Sequence, residues 1–382
     1  MGGAMELTEE QELFRSTVRE FAEEVVGPRA AAIDETEEYP ADIHAALVEQ
    51  GLIGVGLPEK YGGSGGGNLD VCLLVEELSR VSASVALIPL VNRLGAVPCL
   101  VAGSEEQKRW VVEDIVSGEH QYCYCLTEPG SGSDAAAMRS RATRDADGWR
   151  ITGSKRFITN AGVADRYLYF AVTSPEGRKG HNITAFMVRG DAPGLSLGKS
   201  ERKMGIRGVP TREVICEGVF VPDDEVVGDV DAGFQVALRT LDFSRPTIAA
   251  QALGLAQGAL DHALAYMKQR EQFGQPLTGF QGLQFMLADM AIQVEAARLL
   301  VYRAAALADA DHPDLGYVAA IAKTHASDTA MRVTTDAVQL LGGYGYVQDF
   351  PVERMMRDAK ITQIYEGTNQ IQRVVIARRL MR

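Results

Sequence analysis

The sequence predicts an α+β protein in three parts: an N-terminal all-α domain, a middle antiparallel β-barrel-like domain and a C-terminal four-helix bundle. Three observations lead there. Apolar residues recur three and four apart from Leu7 to about His120, the period falls to two between about Gln121 and Gly228, and the helical period returns from about Ala232 and stays. The boundaries that follow are residues 1–120, 121–231 and 232–382. Strands and helices nowhere alternate, so a doubly wound parallel sheet is not expected.

At 382 residues and 46% hydrophobic content, the chain can bury a sizeable interior divided among two or three domains. The net charge of −13, with no long Lys/Arg run, argues against nucleic-acid binding, which leaves a basic footprint. The five cysteines are scattered without a Cys-x-x-Cys pair, and none of the six histidines falls in a spacing such as His-Glu-x-x-His. Neither a disulfide framework nor a metal is expected, and a reducing compartment fits. The first twenty residues carry Glu6, Glu9, Glu10, Glu12 and Glu20 and no apolar stretch of signal-peptide length, while the apolar run Val85–Leu100 is interrupted by Asn92 and Arg93. The expectation is no membrane span and a cytoplasmic location. Met1 to Ala4, ahead of Met5, read as a leader remnant.

Leu13, Phe14, Val18, Phe21, Ala22 and Val25 mark the first helix, with Thr8 as N-cap ahead of Gln11 and an interruption at Gly27-Pro28. A second helix covers Ala41–Gln50 and a third Leu69–Arg80. Between them, the glycines of Leu57 to Gly67 invite a phosphate-cradle reading, but no strand feeds them and no Gly-Lys-Ser/Thr follows, so a flexible connection is expected. Six strands come next: Gln121–Leu126, Arg139–Arg144, Trp149–Lys155, Tyr167–Thr173, Thr184–Arg189 and Glu213–Val221. Asp147-Gly148 signals a hairpin and Pro175-Glu176-Gly177 a turn. Beyond them Leu253 to Met267, Leu283 to Val301 and Tyr317 to Leu341 carry helical stripes, and small residues such as Gly254 and Gly258 let backbones approach closely.

Three stretches could carry chemistry. Near the C-terminus Glu366 stands between two amphipathic helical segments with Gly367 directly after it, which on this stretch alone reads first as an acid at a helix end and second as a presented base. Tyr124 to Asp134 runs a strand out into a loop of two glycines with Thr127, Ser131 and Ser133. Such a loop can bind a pyrophosphate through free N–H groups, or be a tight polar turn; the Gly-x-Gly-x-x-Ala match within it lacks the helix of a dinucleotide fold. Phe157-Ile158-Thr159-Asn160 puts an aromatic ring beside a hydroxyl at a strand end, suited to a planar heterocycle or to core packing.

Taken together with Leu57-Pro58-Glu59-Lys60-Tyr61-Gly62-Gly63, Arg270-Glu271-Gln272-Phe273-Gly274, Gln339-Leu340-Leu341-Gly342-Gly343 and Tyr365-Glu366-Gly367-Thr368, these motifs resemble the acyl-CoA dehydrogenase family nearly end to end. The resemblance implies a noncovalent FAD between the β domain and the C-terminal helices. By position, Tyr124, Cys125, Leu126, Thr127, Gly132 and Ser133 would line the flavin and its phosphates, Thr127, Ile158 and Thr159 would approach the ring, and Phe157 would cover one edge, where many relatives carry Trp. Thr368 and Gln370 would add contacts. Arg270, Gln272, Phe273, Gln281, Gln339, Leu340, Gly342 and Gly343 would come from a neighbouring subunit, which implies a homo-oligomer, typically a tetramer. Asp242 and Arg245, with Ser133, Tyr365, Gly367 and Arg378, would contact the acyl-CoA; from its residues alone Arg245 reads as a surface ion pair.

The resemblance also implies the reaction: dehydrogenation of an acyl-CoA thioester to the trans-2-enoyl-CoA in fatty acid β-oxidation. Glu366 would be the α-proton base, flavin N5 the hydride acceptor, and an electron-transfer flavoprotein the electron recipient. Some relatives carry the base on the helix of Asp242 to Arg245; here Phe243 and Ser244 intervene and neither is a carboxylate. Ala250–Gln257 and Gly274–Thr278 look more like short-chain members, so a short or medium acyl group is expected. The competing readings are an acyl-CoA oxidase that uses oxygen, and a non-catalytic acyl-CoA-binding subunit.

Overall fold

The structure is a computed structural model that describes residues 7–381; the four residues read as a leader remnant lie outside them. Helix α1 (Glu9–Phe21) starts where Thr8 Oγ1 accepts from the Gln11 amide at 3.2 Å and the Gln11 side chain accepts from the Thr8 amide at 3.1 Å. At Gly27-Pro28 the helix does not end. It loosens and then tightens through single irregular turns and continues as α2 (Ala30–Thr36), Pro28 sitting early in its turn, where a missing N–H costs little. Helices α3 (Ala41–Glu49), α4 (Asn68–Ser79), α5 (Ala83–Ala102) and α6 (Glu105–Ser117) complete the N-terminal layer. Among the described residues α5 is the one helix long and apolar enough to cross a membrane, and 72% of its most apolar window is buried inside the protein.

The glycine-rich loop before α4 is not the flexible connection its composition suggested. The Gly56 amide donates to Gly65 O at 2.7 Å, the Gly65 amide to Leu57 O at 3.0 Å and the Ser64 hydroxyl to Gly51 O at 2.7 Å, so its backbone groups are satisfied within the loop itself.

Eight strands form the middle sheet: β1 (Tyr122–Cys125), β2 (Arg141–Asp145), β3 (Gly148–Thr159), β4 (Arg166–Val172), β5 (Ile183–Arg189), β6 (Leu195–Leu197), β7 (Thr211–Pro222) and β8 (Val226–Val227). The order is β6-β7-β3-β2-β4-β5-β8, with β1 on β4. Most pairs are antiparallel, but β1 and β2 both meet β4 in parallel. The excursion between Leu126 and Ser140 brings the chain back in the direction it left. The β2–β3 hairpin turns on Ala146 and Asp147, one residue earlier than the Asp147-Gly148 signal. Inward residues, among them Cys123, Cys125, Trp149, Ile151, Tyr169, Phe186 and Val219, pack into a core of the sheet's own.

The C-terminal part contains α7 (Gly233–Gln269), a two-stranded hairpin of β9 (Glu271–Gln272) and β10 (Gln275–Pro276), α8 (Gln281–Asp309), α9 (Leu315–Leu341), α10 (Val352–Thr362) and α11 (Asn369–Leu380). Three long helices pack together, and the fourth strut of the bundle is split into α10 and α11 at Gln363–Thr368. Helix α4 lies close against α7. A Cβ on Gly254 would stand 2.2 Å from the Glu76 carbonyl oxygen and one on Gly258 2.3 Å from that of Arg80, so only glycine permits this crossing. Buried Glu76 and Glu77 lock the junction: Glu77 accepts from Arg19 at 2.7 Å and Arg80 at 2.8 Å, and Glu76 from Tyr302 at 2.9 Å and from Arg298.

Candidate active site

A cavity of about 530 Å³ opens between the ends of β1 and β3, the loop after β1, α5, the first half of α7 and one side of α11. Its size suits an organic cofactor or substrate. Leu87, Leu90 and Val91 of α5 and Ile248 of α7 give it an apolar wall, and Thr127, Ser133, Thr159, Ser244, Arg245, Glu366 and Arg378 supply the polar groups.

The loop after β1 is held shut at its base. The Glu128 carboxylate accepts from the amides of Arg139 at 2.5 Å and Ser140 at 2.9 Å, and from Lys155 Nζ at 2.8 Å. Burial pushes the Glu128 carboxyl up, but Lys155 and these donors outweigh it and hold the group below its ordinary range; burial in turn pulls Lys155 down. With its ends fixed, the loop presents main-chain donors. The amides of Thr127, Gly132 and Ser133 donate to no other group among the described residues, and a Cβ on Gly130 or Gly132 would meet nothing within 4 Å. Across from them Phe157 is 62% exposed, with φ +59°, a left-handed conformation that costs a non-glycine residue on the order of 1 kcal/mol. An open ring face beside free amides and hydroxyls fits a planar heterocycle carrying a phosphate tail.

Glu366 stands at the break between α10 and α11. Its φ is +57° and that of Gly367 is +89°, and the Gly367 Cα faces Gln372 so closely that an added Cβ would lie 2.7 Å from Gln372 Nε2. Two successive left-handed residues reverse the peptide planes. The carbonyl oxygen of Glu366 is bound by Gln372 Nε2 at 3.1 Å, and that of Gly367 by Gln372 Nε2 at 3.0 Å and Lys323 Nζ at 2.9 Å. The Glu366 amide is bonded to no other group among the described residues. Its carboxylate accepts a 2.6 Å hydrogen bond from Ser244 Oγ. Burial raises its proton affinity, while the Ser244 bond and the charges of Arg245 and Lys323 oppose that rise. Beside it, the Tyr365 hydroxyl bonds to Gln251, whose Nε2 donates to Ala83 O at 3.0 Å.

The expected site residues divide into groups. Tyr124, Leu126, Thr127, Gly132, Ser133, Phe157, Ile158, Thr159, Arg245, Tyr365, Glu366, Gly367 and Arg378 line the cavity. Cys125 does not: it follows Tyr124 on a strand, points to the opposite face and lies in the sheet core. Asp242 sits beside the cavity and accepts from Arg245 Nη1 at 2.7 Å, so Arg245 is paired across one turn of α7. Thr368 caps α11, accepting from the Ile371 amide at 3.3 Å, and Gln370 is exposed on that helix. Arg270, Gln272, Gln339, Leu340, Gly342 and Gly343 line a second cleft that shares no residue with the first. Phe273 tips the hairpin beside it, packed edge-to-face on Phe280, and Gln281 begins α8. Sequence reasoning passed over the Glu128–Lys155 clamp, the Ser244 bond and Lys323; partners so distant in the chain leave no local spacing to find.

A helical layer, a β domain with an amide-lined loop, and a half-buried carboxylate lining the same cavity from a helical bundle make a site suited to an enzyme with a planar, phosphate-bearing cofactor. The family models for the N-terminal, middle and C-terminal domains of acyl-CoA dehydrogenase match residues 8–119, 123–219 and 231–381, and the chain belongs to that family. It is 52% identical over 376 residues to a probable acyl-CoA dehydrogenase, FadE25, of Mycobacterium tuberculosis, covering 98% of this chain and 96% of the relative. Butyryl-CoA dehydrogenase from Megasphaera elsdenii superposes with a TM-score of 0.96 at 44% identity, covering 100% of each chain. A chain from a structure of the electron transferring flavoprotein of Acidaminococcus fermentans gives 0.97 at 45% identity, again with 100% of each covered.

Proposed function

We propose that the protein removes hydrogen from Cα and Cβ of a short or medium acyl-CoA to give the trans-2-enoyl-CoA, with Glu366 taking the α-proton. The observation that carries this reading is the Glu366 carboxylate, desolvated, held by Ser244 and presented at a helix break toward the loop amides. Its own unbonded amide is suited to polarise the thioester oxygen and stabilise the enolate that forms. Arg245 and Arg378 offer the positive charge a CoA tail needs, and the apolar wall from α5 takes the acyl chain.

The cofactor is FAD, which accepts the β-hydride when bound; Thr127, Gly132, Ser133, Phe157 and Thr159 hold its ring and the nearer phosphate. The second cleft holds the far end of the dinucleotide bound to another copy. Two features support this. Arg245 and Tyr266 lie 21 residues apart on α7, or about 30 Å, too far for one subunit to grip both ends of one molecule. Exposed Phe273, Phe285, Ile292, Leu299 and Tyr346 surround the second cleft and run along α8, as an interface between copies requires. The assembly is accordingly a homotetramer or at least a dimer, built from chains divided at residues 1–120, 121–231 and 232–382. The recipient of the electrons is an electron-transfer flavoprotein, and the enzyme works in the cytoplasm.

Anaerobic titration of the purified protein with straight-chain acyl-CoAs of graded length tests cofactor, reaction and substrate together. Bleaching of the flavin band should be strongest with short or medium chains. An unbleached flavin across the series would overturn the reading.

A further inference from the structure

Lys323 of α9 is 0% exposed, yet among the described residues it forms no ion pair. Its ammonium donates instead to the Gly367 carbonyl at 2.9 Å and to Asn369 Oδ1 at 2.9 Å. Asn369 is tied in turn to Ser327 and Asp328, its Nδ2 donating to each at 2.8 Å. A buried amine without a contacting carboxylate is costly, and here burial brings Lys323 down to about 7. Four charged or titratable groups bear on the space it shares with Glu366. Arg245 from α7 repels it, Asp328 on α9 attracts it, and the phenols of Tyr124 from β1 and Tyr365 face the Glu366 carboxylate. Glu366 is the strongest of its attracting partners, although no bond joins the two.

We propose that Lys323 is a positioning residue for Glu366: it fixes the Gly367 carbonyl at the helix break and, through its charge, keeps the carboxylate ionised and aimed into the cavity. The inference rests on the reading of Glu366 as the base. Its two parts have separate origins. Hydrogen bonding anchors the Gly367 carbonyl to α9 and so holds the main chain next to Glu366, while the charge acts through space. Ser244 holds the carboxylate directly; Lys323 sets the main chain and the field behind it.

The two parts separate in variants of the flavin-loaded enzyme. Lys323→Gln retains a hydrogen-bond donor and removes the charge, and Lys323→Arg retains both. The carboxyl stretching band of protonated Glu366, assigned by its disappearance in Glu366→Gln, is titrated by infrared spectroscopy, and flavin reduction by acyl-CoA is followed across the same pH range. Removing a cation favours the protonated carboxyl, so both midpoints should move to higher pH in Lys323→Gln. Reduction at pH 6.5 should fall about tenfold, the loss shrinking as pH rises. Lys323→Arg should keep the wild-type midpoint. An unmoved midpoint with a rate lost evenly at every pH, equal shifts in both variants, or failure of both to fold as flavoproteins would each leave a merely structural lysine and overturn the proposal. Normal flavin reduction by Glu366→Gln would remove the base reading instead, and the infrared titration would still decide whether Lys323 governs the Glu366 charge.

Discussion

The first cleft and the second are built from the same helix, α7, and differ in almost every other respect. The first is walled by all three parts of the chain, and its key carboxylate is desolvated and hydrogen-bonded. The second is bounded by helix ends and a hairpin, and the aromatics about it are bare: Phe273 is 94% exposed and Tyr346 85%. Both contain non-glycine residues in the left-handed region, Phe157 and Glu366 in one and Phe273 beside the other. Strain therefore marks both places; in the first, hydrogen bonds hold Glu366 and its helix break, while Phe157, like Phe273 beside the second, stands exposed. On the proposed reading the first cleft must be complete within one copy, whereas a grip on the far end of a cofactor can be left open until a second copy covers it.

The comparison breaks most sharply at Glu366. Glu366→Gln keeps the shape of the first cleft and removes its proposed base, so flavin reduction by acyl-CoA should fall by about 10²- to 10⁴-fold in stopped-flow measurements while flavin stays bound. Lys155→Met strips the buried partner from Glu128 and frees the base of the amide loop. About 3–5 kcal/mol of stability is expected to go, read as a lower unfolding temperature together with poor flavin retention. Ser244→Ala removes one donor to the Glu366 carboxylate, which should slow reduction about tenfold and move the acid limb of its pH profile upward, since the lost hydrogen bond favoured the ionised form. None of the three should alter the second cleft.

The three-part order was legible because long periodic runs report burial directly, and the placement of Glu366 at a helix break was legible because Gly367 directly follows it between two helical segments. Elements too short to show a period were missed: the hairpin that carries Phe273 consists of two-residue strands, and β6 has three. The parallel pairing of β1 with β4 is a property of the chain's path after Leu126, which no local pattern records. Contacts at long range stayed hidden for the same reason. Ser244 precedes Glu366 by 122 residues, and Lys155 follows Glu128 by 27 across a loop. Cys125 was within reach, since strand alternation alone puts it opposite Tyr124.

Mixed assembly of two defective chains tests the central claim most directly. One chain carries Glu366→Gln, with a faulty first cleft and a sound second; the other carries Arg270→Glu, with the reverse. Alone, the first should bind flavin without bleaching and the second should retain little flavin. Refolded together, they form hybrids in which the sound first cleft of one copy meets the sound second cleft of the other. Bleaching by acyl-CoA should then exceed the sum of the parents. A mixture no more active than its parents would contradict a site shared between copies, with Glu366 as its base.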